Sequence, residues 1–196
     1  TSLWAMARPM PDAAPVTNLL ASCTDYLITN PNAVNASNFI SMDENVVYSE
    51  GLLIDQFCKG VVNFHTSYFN KVGLIIEKTG EQDLEVIFNI VNTARAVHGV
   101  DIEHCVITDG PLGGRCERNK SGSYVGKLED PGILFEACDE LIRKGVDAIA
   151  VTSNIKDLPR DNYAKHFEGL HPNPVGGAEA IISHLIVAKY KVPAAH

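Results

Sequence analysis

The sequence predicts an α/β fold: a mostly parallel sheet with helices on both faces, in a three-layer, Rossmann-like arrangement. Short, continuously apolar segments, of which 146–152 (V-D-A-I-A-V-T) is the clearest, are typical of strands that are buried on both faces. These segments alternate along the chain with longer amphipathic segments, several of which end at glycine, as helices often do. Such alternation predicts consecutive β-α-β units and therefore a parallel sheet.

The strand predictions depend on short apolar runs that end at a polar or turn-forming residue. The first run stops at Asn30-Pro31, and the third is followed directly by Asp109 and a glycine-rich segment. In chain order, the predicted strands are 25–29, 71–77, 104–108 and 146–152.

The helix predictions depend on apolar residues at helical spacing and on recognisable ends. Pro15 is tolerated because it falls in a first turn, and Ser49 is a candidate N-cap for the second helix. Gly60, Gly99 and Gly145 are stop signals. In chain order, the predicted helices are 13–23, 50–60, 82–98, 131–144 and 176–189.

The polar, glycine-rich and proline-rich segments between these elements predict loops. The two longest are 109–126 and the segment from the last strand to about Val175. Residues 1–11 are expected to form an irregular N-terminal segment. Residues 12–196 are expected to form one α/β domain, which can be part of a longer parent domain.

The charge balance excludes two classes of partner. The net charge is −8, and the densest basic group, formed by Arg115, Arg118 and Lys120, is small. A duplex-binding surface needs clustered cations to neutralise phosphates, so no nucleic-acid partner is expected. The acidity argues against a basic membrane-surface helix, and no apolar run approaches the roughly 20 residues that span a bilayer. Membrane insertion is therefore not expected either.

The five cysteines indicate the redox compartment. Their number is odd and no pair has C-x-x-C spacing, so neither a disulfide framework nor a zinc knuckle is indicated. Free thiols in a reducing, intracellular compartment are the simplest interpretation. The opening residues lack a basic region followed by an apolar core, so they do not have the pattern of a signal peptide.

An asparagine-rich loop is the first candidate for a binding role. Parallel sheets bind ligands beyond the carboxyl ends of their strands, and N-P-N-A-V-N-A-S-N follows the first predicted strand. Asn32 and Asn35 offer amide donors and acceptors that would orient a polar ligand. The alternative is that these asparagines only stabilise turns, whose geometry asparagine tolerates.

The segment T-D-G-P-L-G-G-R-C is the second candidate. Gly113 and Gly114 would let the backbone approach a ligand closely, and Arg115 could bind a carboxylate or phosphate with two donors. Asp109 could act as a general base or hold a metal. Cys116, next to Arg115, could have a lowered pKa and act as a nucleophile. The alternative is a surface loop with a solvated arginine.

The segment H-P-N-P-V-G-G-A-E is the third candidate, because it places adjacent glycines at a helix start. Free amide groups of Gly176 and Gly177 and the helix dipole would favour an anion. Glu179 could move protons, or it could simply stabilise the first turn. The pattern is neither a P-loop nor the G-x-G-x-x-G of dinucleotide-binding proteins. The histidines show no metal spacing, and His171 and His184 are the two candidates for a specific role.

Several segments together resemble a family of uncharacterised proteins that is defined only as a domain of unknown function, found mainly in cyanobacteria and plastid-bearing eukaryotes. The resemblance covers the chain from about Asp12 to the final V-P-A-A-H. It depends on the motifs N-P-N-A-V-N-A-S, Y-S-E-G-L-L-I-D-Q-F, A-R-A-V-H-G-V-D, V-I-T-D-G-P-L-G and P-V-G-G-A-E-A-I-I-S-H-L-I. It implies an α/β fold, a cytoplasmic or plastid location, and a chain that is a fragment or a processed form. It implies no reaction.

The sequence therefore predicts a site on one rim of the sheet and leaves its chemistry open. The leading hypothesis is an enzyme that binds a small anionic metabolite bearing a carboxylate or phosphate, with Asp109 or Glu179 moving protons. No cofactor is indicated, although a divalent cation held by those two carboxylates is an option. The alternatives are a non-catalytic subunit of a larger assembly, a homo-oligomer or a ligand-sensing regulator.

Overall fold

A four-stranded sheet organises the fold. The computed structural model describes residues 13–30, 43–65, 67, 69–120, 124–156, 161, 165 and 173–196. In these ranges the helices are α1 (Ala13–Ala21), α2 (Gly51–Cys58), α3 (Glu81–His98), α4 (Pro131–Arg143) and α5 (Gly176–Tyr190). The strands are β1 (Leu27–Thr29), β2 (Val46–Tyr48), β3 (Lys71–Ile76), β4 (Asp101–Ile107), β5 (Gly114–Arg118), β6 (Tyr124–Leu128), β7 (Ala148–Thr152) and β8 (Ala194–Ala195).

The predicted parallel sheet is confirmed. Its strand order is β4-β3-β7-β8, and every neighbouring pair is parallel. Ile75 in β3 lies level with Val106 in β4 and with Val151 in β7. The predicted strands 71–77, 104–108 and 146–152 correspond to β3, β4 and β7, because continuous apolar runs can be buried on both faces.

Alternate side chains of β3 belong to two different apolar clusters. Ile75 belongs to the cluster that includes buried residues of α4 and α5, such as Leu141 and Ile186. Leu74 and Ile76 belong to a second cluster with Val91 of α3. Successive strand residues point to opposite faces, so the sheet is packed on both sides. The fold is therefore mixed α/β, as the sequence predicts.

Two parts of the prediction are wrong. The segment predicted as one loop, 109–126, contains β5 and most of β6, which form an antiparallel hairpin with Cys116 opposite Gly126. Its glycines and charged residues hide the strand pattern, because half of each strand faces solvent. The short strands β2 and β8 are also absent from the prediction. They are two or three residues long, too short for a periodic signal, and they form only by pairing with β1 and β7.

The helix ends follow the expected chemistry with one correction. Glu50, and not Ser49, is the N-cap of α2, and its side chain accepts hydrogen bonds from Leu52 and Leu53. Gly99 ends α3 in the left-handed conformation at φ 64°, which glycine adopts without strain. Among the described residues, no helix is both long and apolar enough to cross a bilayer.

Candidate functional site

The strand order creates a crevice between β3 and β7. The chain leaves β3 through α3 to reach β4 on one side, and it leaves β7 towards α5 and β8 on the other side. Connections that leave two adjacent strands in opposite directions open a space at the carboxyl ends of those strands. Ligands of open α/β sheets bind at such a point.

A cavity of about 240 Å³ lies at this point of the sheet. Residues that follow β3 and β7 form one wall, and the first two turns of α3 form the other. The lining residues are Glu77, Thr79, Asp83, Val86, Ile87, Thr152, Ser153 and Asn154. Each wall therefore carries one carboxylate, and the helical wall adds the apolar side chains of Val86 and Ile87.

The carboxylate of Glu77 connects the segments that surround the crevice. Its side chain is buried, and its residue exposure is 3%. Oε1 accepts a hydrogen bond from the Leu112 amide at 2.8 Å, and Oε2 accepts one from the Asn154 amide at 2.5 Å. One carboxylate thus connects the end of β3 to the segment after β4 and to the segment after β7. Glu77 is not among the residues predicted from the sequence, although a charge that ends an apolar strand run is a visible signal.

Ser153 and His196 form a second polar contact at the crevice. The Ser153 hydroxyl lies 2.6 Å from Nε2 of His196, so the end of β7 is joined to the residue that follows β8. Burial lowers the pKa of His196 to about 4, because an imidazolium loses its hydration there. The imidazole is therefore neutral at neutral pH and can accept the serine proton. The sequence alone did not single out either residue.

Asp109 lies at the same edge of the sheet but does not line the crevice. Thr108, which is buried, accepts a hydrogen bond from the Lys78 amide at 3.0 Å and donates one to the Gly110 carbonyl at 2.7 Å. The Lys78 ammonium donates to the Asp109 carbonyl at 3.1 Å. The Asp109 carboxylate itself is in an exposed residue. Its predicted role as a base or metal ligand remains a prediction.

Gly113 and Arg115 have structural partners. Gly113 has φ 71°, and a Cβ added to it would lie 2.6 Å from Cβ of Glu129, so no larger residue fits without movement. The Arg115 guanidinium is 2.5 Å from Oε1 of Glu129. The Gly114 carbonyl accepts a hydrogen bond from the Lys156 amide at 2.8 Å. The contacts to Glu129 join the two ends of the hairpin, and the Lys156 amide connects the hairpin to the segment after β7.

The glycines at the start of α5 allow two backbones to touch. A Cβ added to Gly126 would lie 2.2 Å from the carbonyl carbon of Gly177, and one added to Gly177 would lie 2.7 Å from the Gly126 amide nitrogen. Gly176 precedes this contact as the first residue of α5. The close approach of β6 and α5 accounts for the glycine at position 177 without any ligand.

Burial governs the titratable groups beside this contact. Glu179 lies in the first turn of α5, and burial raises the pKa of its carboxyl. Burial also raises the pKa of the Cys116 thiol, which outweighs a hydrogen bond from the Ala178 amide that lowers it. The prediction of a lowered thiol pKa at Cys116 is therefore wrong, because the hairpin buries the side chain.

A second buried carboxylate lies where α2 packs on α5. Glu50 is 8% exposed, and its Oε2 accepts hydrogen bonds from the Leu52 and Leu53 amides at 2.7 and 3.2 Å. Its Oε1 forms an ion pair with Nδ1 of His184. The hydrogen bond to Glu50 is the main cause of the raised pKa of His184. His184 therefore has the specific partner that the sequence left open.

The three predicted loops are only partly brought together in the described chain. Gly114 begins the hairpin directly after Gly113, and Gly177 packs on the second strand of the hairpin, so the second and third candidates meet through β5 and β6. Asn32, Asn35 and His171 lie outside the described residues. Within those residues, no group of three or more histidine, cysteine, aspartate or glutamate side chains is placed to hold a metal ion.

Comparison with known proteins identifies relatives but no reaction. An uncharacterized lipoprotein of a Synechococcus strain is 36% identical to the chain over 187 residues, which cover 94% of this chain and 52% of that relative. The chain thus spans about half the length of the curated relative that it matches. No solved structure matches the chain. The model of a family of proteins of unknown function, DUF3326, matches residues 10–196, and the chain therefore belongs to that family.

Proposed function

We propose that this chain binds a small metabolite at the carboxyl edge of its parallel sheet, in the crevice between β3 and β7. The observation that supports this most directly is the cavity of about 240 Å³ at the point where the connections leave β3 and β7 in opposite directions. The Rossmann-like arrangement that the sequence predicts belongs to the same proposal, since such folds place their ligands at this point.

The lining of the crevice fits a small polar ligand better than a protein surface. Ligand sites combine an apolar wall with a few polar groups that fix orientation. Val86 and Ile87 supply the apolar wall, and Thr79, Ser153 and Asn154 supply hydroxyl and amide groups. Glu77 fixes the backbone on two sides of the space, so the wall is formed before a ligand arrives.

An anionic metabolite is the second candidate, and Arg115 is the residue that favours it. The side chains of Arg115 and Glu129 are 41% and 49% exposed, so an incoming carboxylate or phosphate could replace Glu129 as the partner of the guanidinium. Surface ion pairs of this kind contribute roughly 0–1 kcal/mol, so the exchange would cost little. In this second candidate function the ligand would lie beside the hairpin and not in the crevice.

Catalysis is supported by the contact between Ser153 and His196. A hydroxyl within hydrogen-bond distance of a neutral imidazole is the arrangement of an activated nucleophile. The lowered pKa of His196 makes it a weaker base than an ordinary histidine at pH 7, however, so binding is the stronger part of the proposal. Reaction of Ser153 with a fluorophosphonate, measured by intact mass and peptide mapping, would support catalysis, and an unlabelled Ser153 would contradict it.

A thermal-shift screen with a matched pair of variants tests the binding proposal. The panel contains phosphates, carboxylates, amines and divalent cations. A ligand present at 100 times its Kd stabilises the native state by about 2.7 kcal/mol. Asn154→Phe fills the crevice from an exposed lining residue, and Lys156→Phe makes the same change two residues further on, at an exposed residue outside the lining. The proposal expects the shift to be lost in Asn154→Phe and retained in Lys156→Phe.

The remaining alternatives make different predictions for the same material. A regulator would bind a ligand in this screen without converting it, whereas a non-catalytic subunit or homo-oligomer would respond to a partner chain and to none of the small molecules. The reducing, intracellular location also remains a proposal, while the relative is named a lipoprotein. Cell fractionation with an antibody against the chain distinguishes a soluble cytoplasmic or plastid pool from a membrane-bound one.

A further inference from the structure

Glu77 is a buried carboxylate whose charge has no cationic partner among the described residues. Both of its oxygens accept hydrogen bonds from backbone amides, those of Leu112 and Asn154, which is the behaviour of a carboxylate. None of the ion pairs in the described chain includes Glu77. Buried carboxylates are almost always paired with a cation, and here the side chain lines an open crevice.

Asp83 adds a second negative charge on the opposite wall. Its carboxylate accepts a hydrogen bond from the Thr79 hydroxyl at 2.9 Å, and both residues line the crevice. The lining contains no lysine, arginine or histidine within the described chain. The start of α3 contributes a partial positive charge of only about half a unit, which two carboxylates exceed. The crevice therefore repels an anion and attracts a cation.

The apolar wall favours an organic cation over a metal ion as the ligand of the crevice. Val86 and Ile87 of α3 cannot coordinate a metal, and they provide a surface for an aliphatic chain. The volume of about 240 Å³ is several times the roughly 30 Å³ that a water molecule occupies in the liquid. A hard divalent cation needs about six oxygen ligands and no such apolar surface.

We infer that the crevice binds a small organic molecule with a protonated amine, whose ammonium group lies near Glu77 and Asp83 and whose aliphatic part lies on Val86 and Ile87. This inference rests on the proposed function and specifies the charge of its ligand. It applies to the crevice alone and leaves the exchange at Arg115 as a separate possibility for anions.

Three probes of similar size and different charge test the inference. Butylamine, butan-1-ol and butyrate are each titrated into the ¹⁵N-labelled 196-residue chain, and the amide signals of Thr79, Ser153 and Asn154 are followed by NMR. The inference expects butylamine to shift these signals with a Kd at least about fivefold lower than that of butan-1-ol, since a charge pair near a protein surface contributes about that factor. Butyrate should bind most weakly.

Two matched substitutions locate the charge that matters. Asp83→Asn keeps the shape and an acceptor for Thr79 but removes one carboxylate from the lining. It should weaken butylamine about threefold to fivefold and leave butan-1-ol unchanged. Glu81→Gln removes an equivalent exposed charge from the same helical turn, outside the lining, and should change neither probe. If the Glu77→Gln protein folds, its loss of butylamine affinity should be larger than that of Asp83→Asn. If it does not fold, the comparison of Asp83→Asn with Glu81→Gln still tests the inference.

The possible outcomes separate this inference from the proposal on which it rests. Tighter binding of butyrate than butylamine, or an equal response to all three probes, overturns the ammonium ligand but leaves the crevice as a binding site. Crevice shifts caused by magnesium alone overturn it in favour of a metal ion. If no probe moves the crevice amides, the inference fails. The proposed function fails with it only if the wider ligand screen is also negative.

Discussion

Two buried glutamates, Glu50 and Glu77, have similar backbone hydrogen bonds but connect different parts of the fold. Glu50 and Glu77 are both buried, and each accepts two backbone hydrogen bonds. Glu50 caps its own helix and forms an ion pair with His184, so its charge is used locally. Glu77 connects segments 35 and 77 residues away along the chain and has no described cationic partner.

This difference separates a structural carboxylate from a candidate functional one. A helix cap completes hydrogen bonds that any helix of this length would need. A carboxylate that positions two distant loops around an open space, with no cationic partner among the described residues, is held by the fold, and we propose that its charge serves a ligand. The pairing partner, and not the degree of burial, distinguishes the two.

The largest expected effect is that of Glu77→Ala on stability. The substitution leaves the amides of Leu112 and Asn154 without their acceptor in a buried or partly buried setting. Each unsatisfied donor costs about 1–3 kcal/mol, so the free energy of unfolding should fall by about 3 kcal/mol. Urea denaturation followed by circular dichroism measures this, with Glu81→Gln as the exposed control. A loss below about 1 kcal/mol would contradict the connecting role.

The next effect is acid destabilisation through His196. Burial depresses its pKa to about 4 from the ordinary value of 6.5, so the unfolded chain binds this proton more readily than the folded one. The contribution of the neutral imidazole is therefore complete above pH about 6.5 and is lost as the pH falls towards about 4, by about 3 kcal/mol in all. His196→Gln should lose this acid dependence, and an unchanged slope of stability against pH would show that His196 is not buried in solution.

Glu50→Ala should be milder than Glu77→Ala. It removes the N-cap of α2 and the partner of His184, but the two amides that it leaves belong to one helix end, whereas Glu77 connects two distant segments. Loss of a capping side chain costs about 1 kcal/mol. Glu50→Asp, which keeps the charge with a shorter reach, is the matched variant. Chemical denaturation should rank the three as Glu77→Ala, Glu50→Ala and Glu50→Asp, and a reversed order would remove the distinction drawn between the two glutamates.

The smallest effect is the pH dependence of the ion pair between Glu50 and His184. The hydrogen bond to Glu50 raises the pKa of His184, so the pair stabilises the fold fully below pH about 6.5 and loses this contribution as the pH rises through the raised value. The His184 side chain is 47% exposed, which limits the effect to under about 1 kcal/mol. Comparing wild type with His184→Gln across this range measures it. A difference that grows with rising pH would contradict the assignment.

The sequence predicted the central elements because their signals are local. β3, β4 and β7 are apolar runs, and α3 and α4 have amphipathic spacing and recognisable caps. The hairpin of β5 and β6 was missed because glycines and exposed charges conceal its alternation. Glycine richness predicts a ligand-binding loop, yet contact with Gly126 accounts for Gly177. A glycine permits a close approach, and the sequence does not say whether a ligand or another backbone approaches.

The sequence by itself determined an acidic α/β chain of the DUF3326 family with a parallel sheet, since hydrophobic periodicity, capping residues and family motifs are all written along the chain. Only the tertiary structure decided which polar residues meet. Glu77, Ser153 and His196 come together because three strand ends are brought to one edge of the sheet. Contacts between residues far apart in sequence depend on the strand order, and no single segment of the sequence indicates that order.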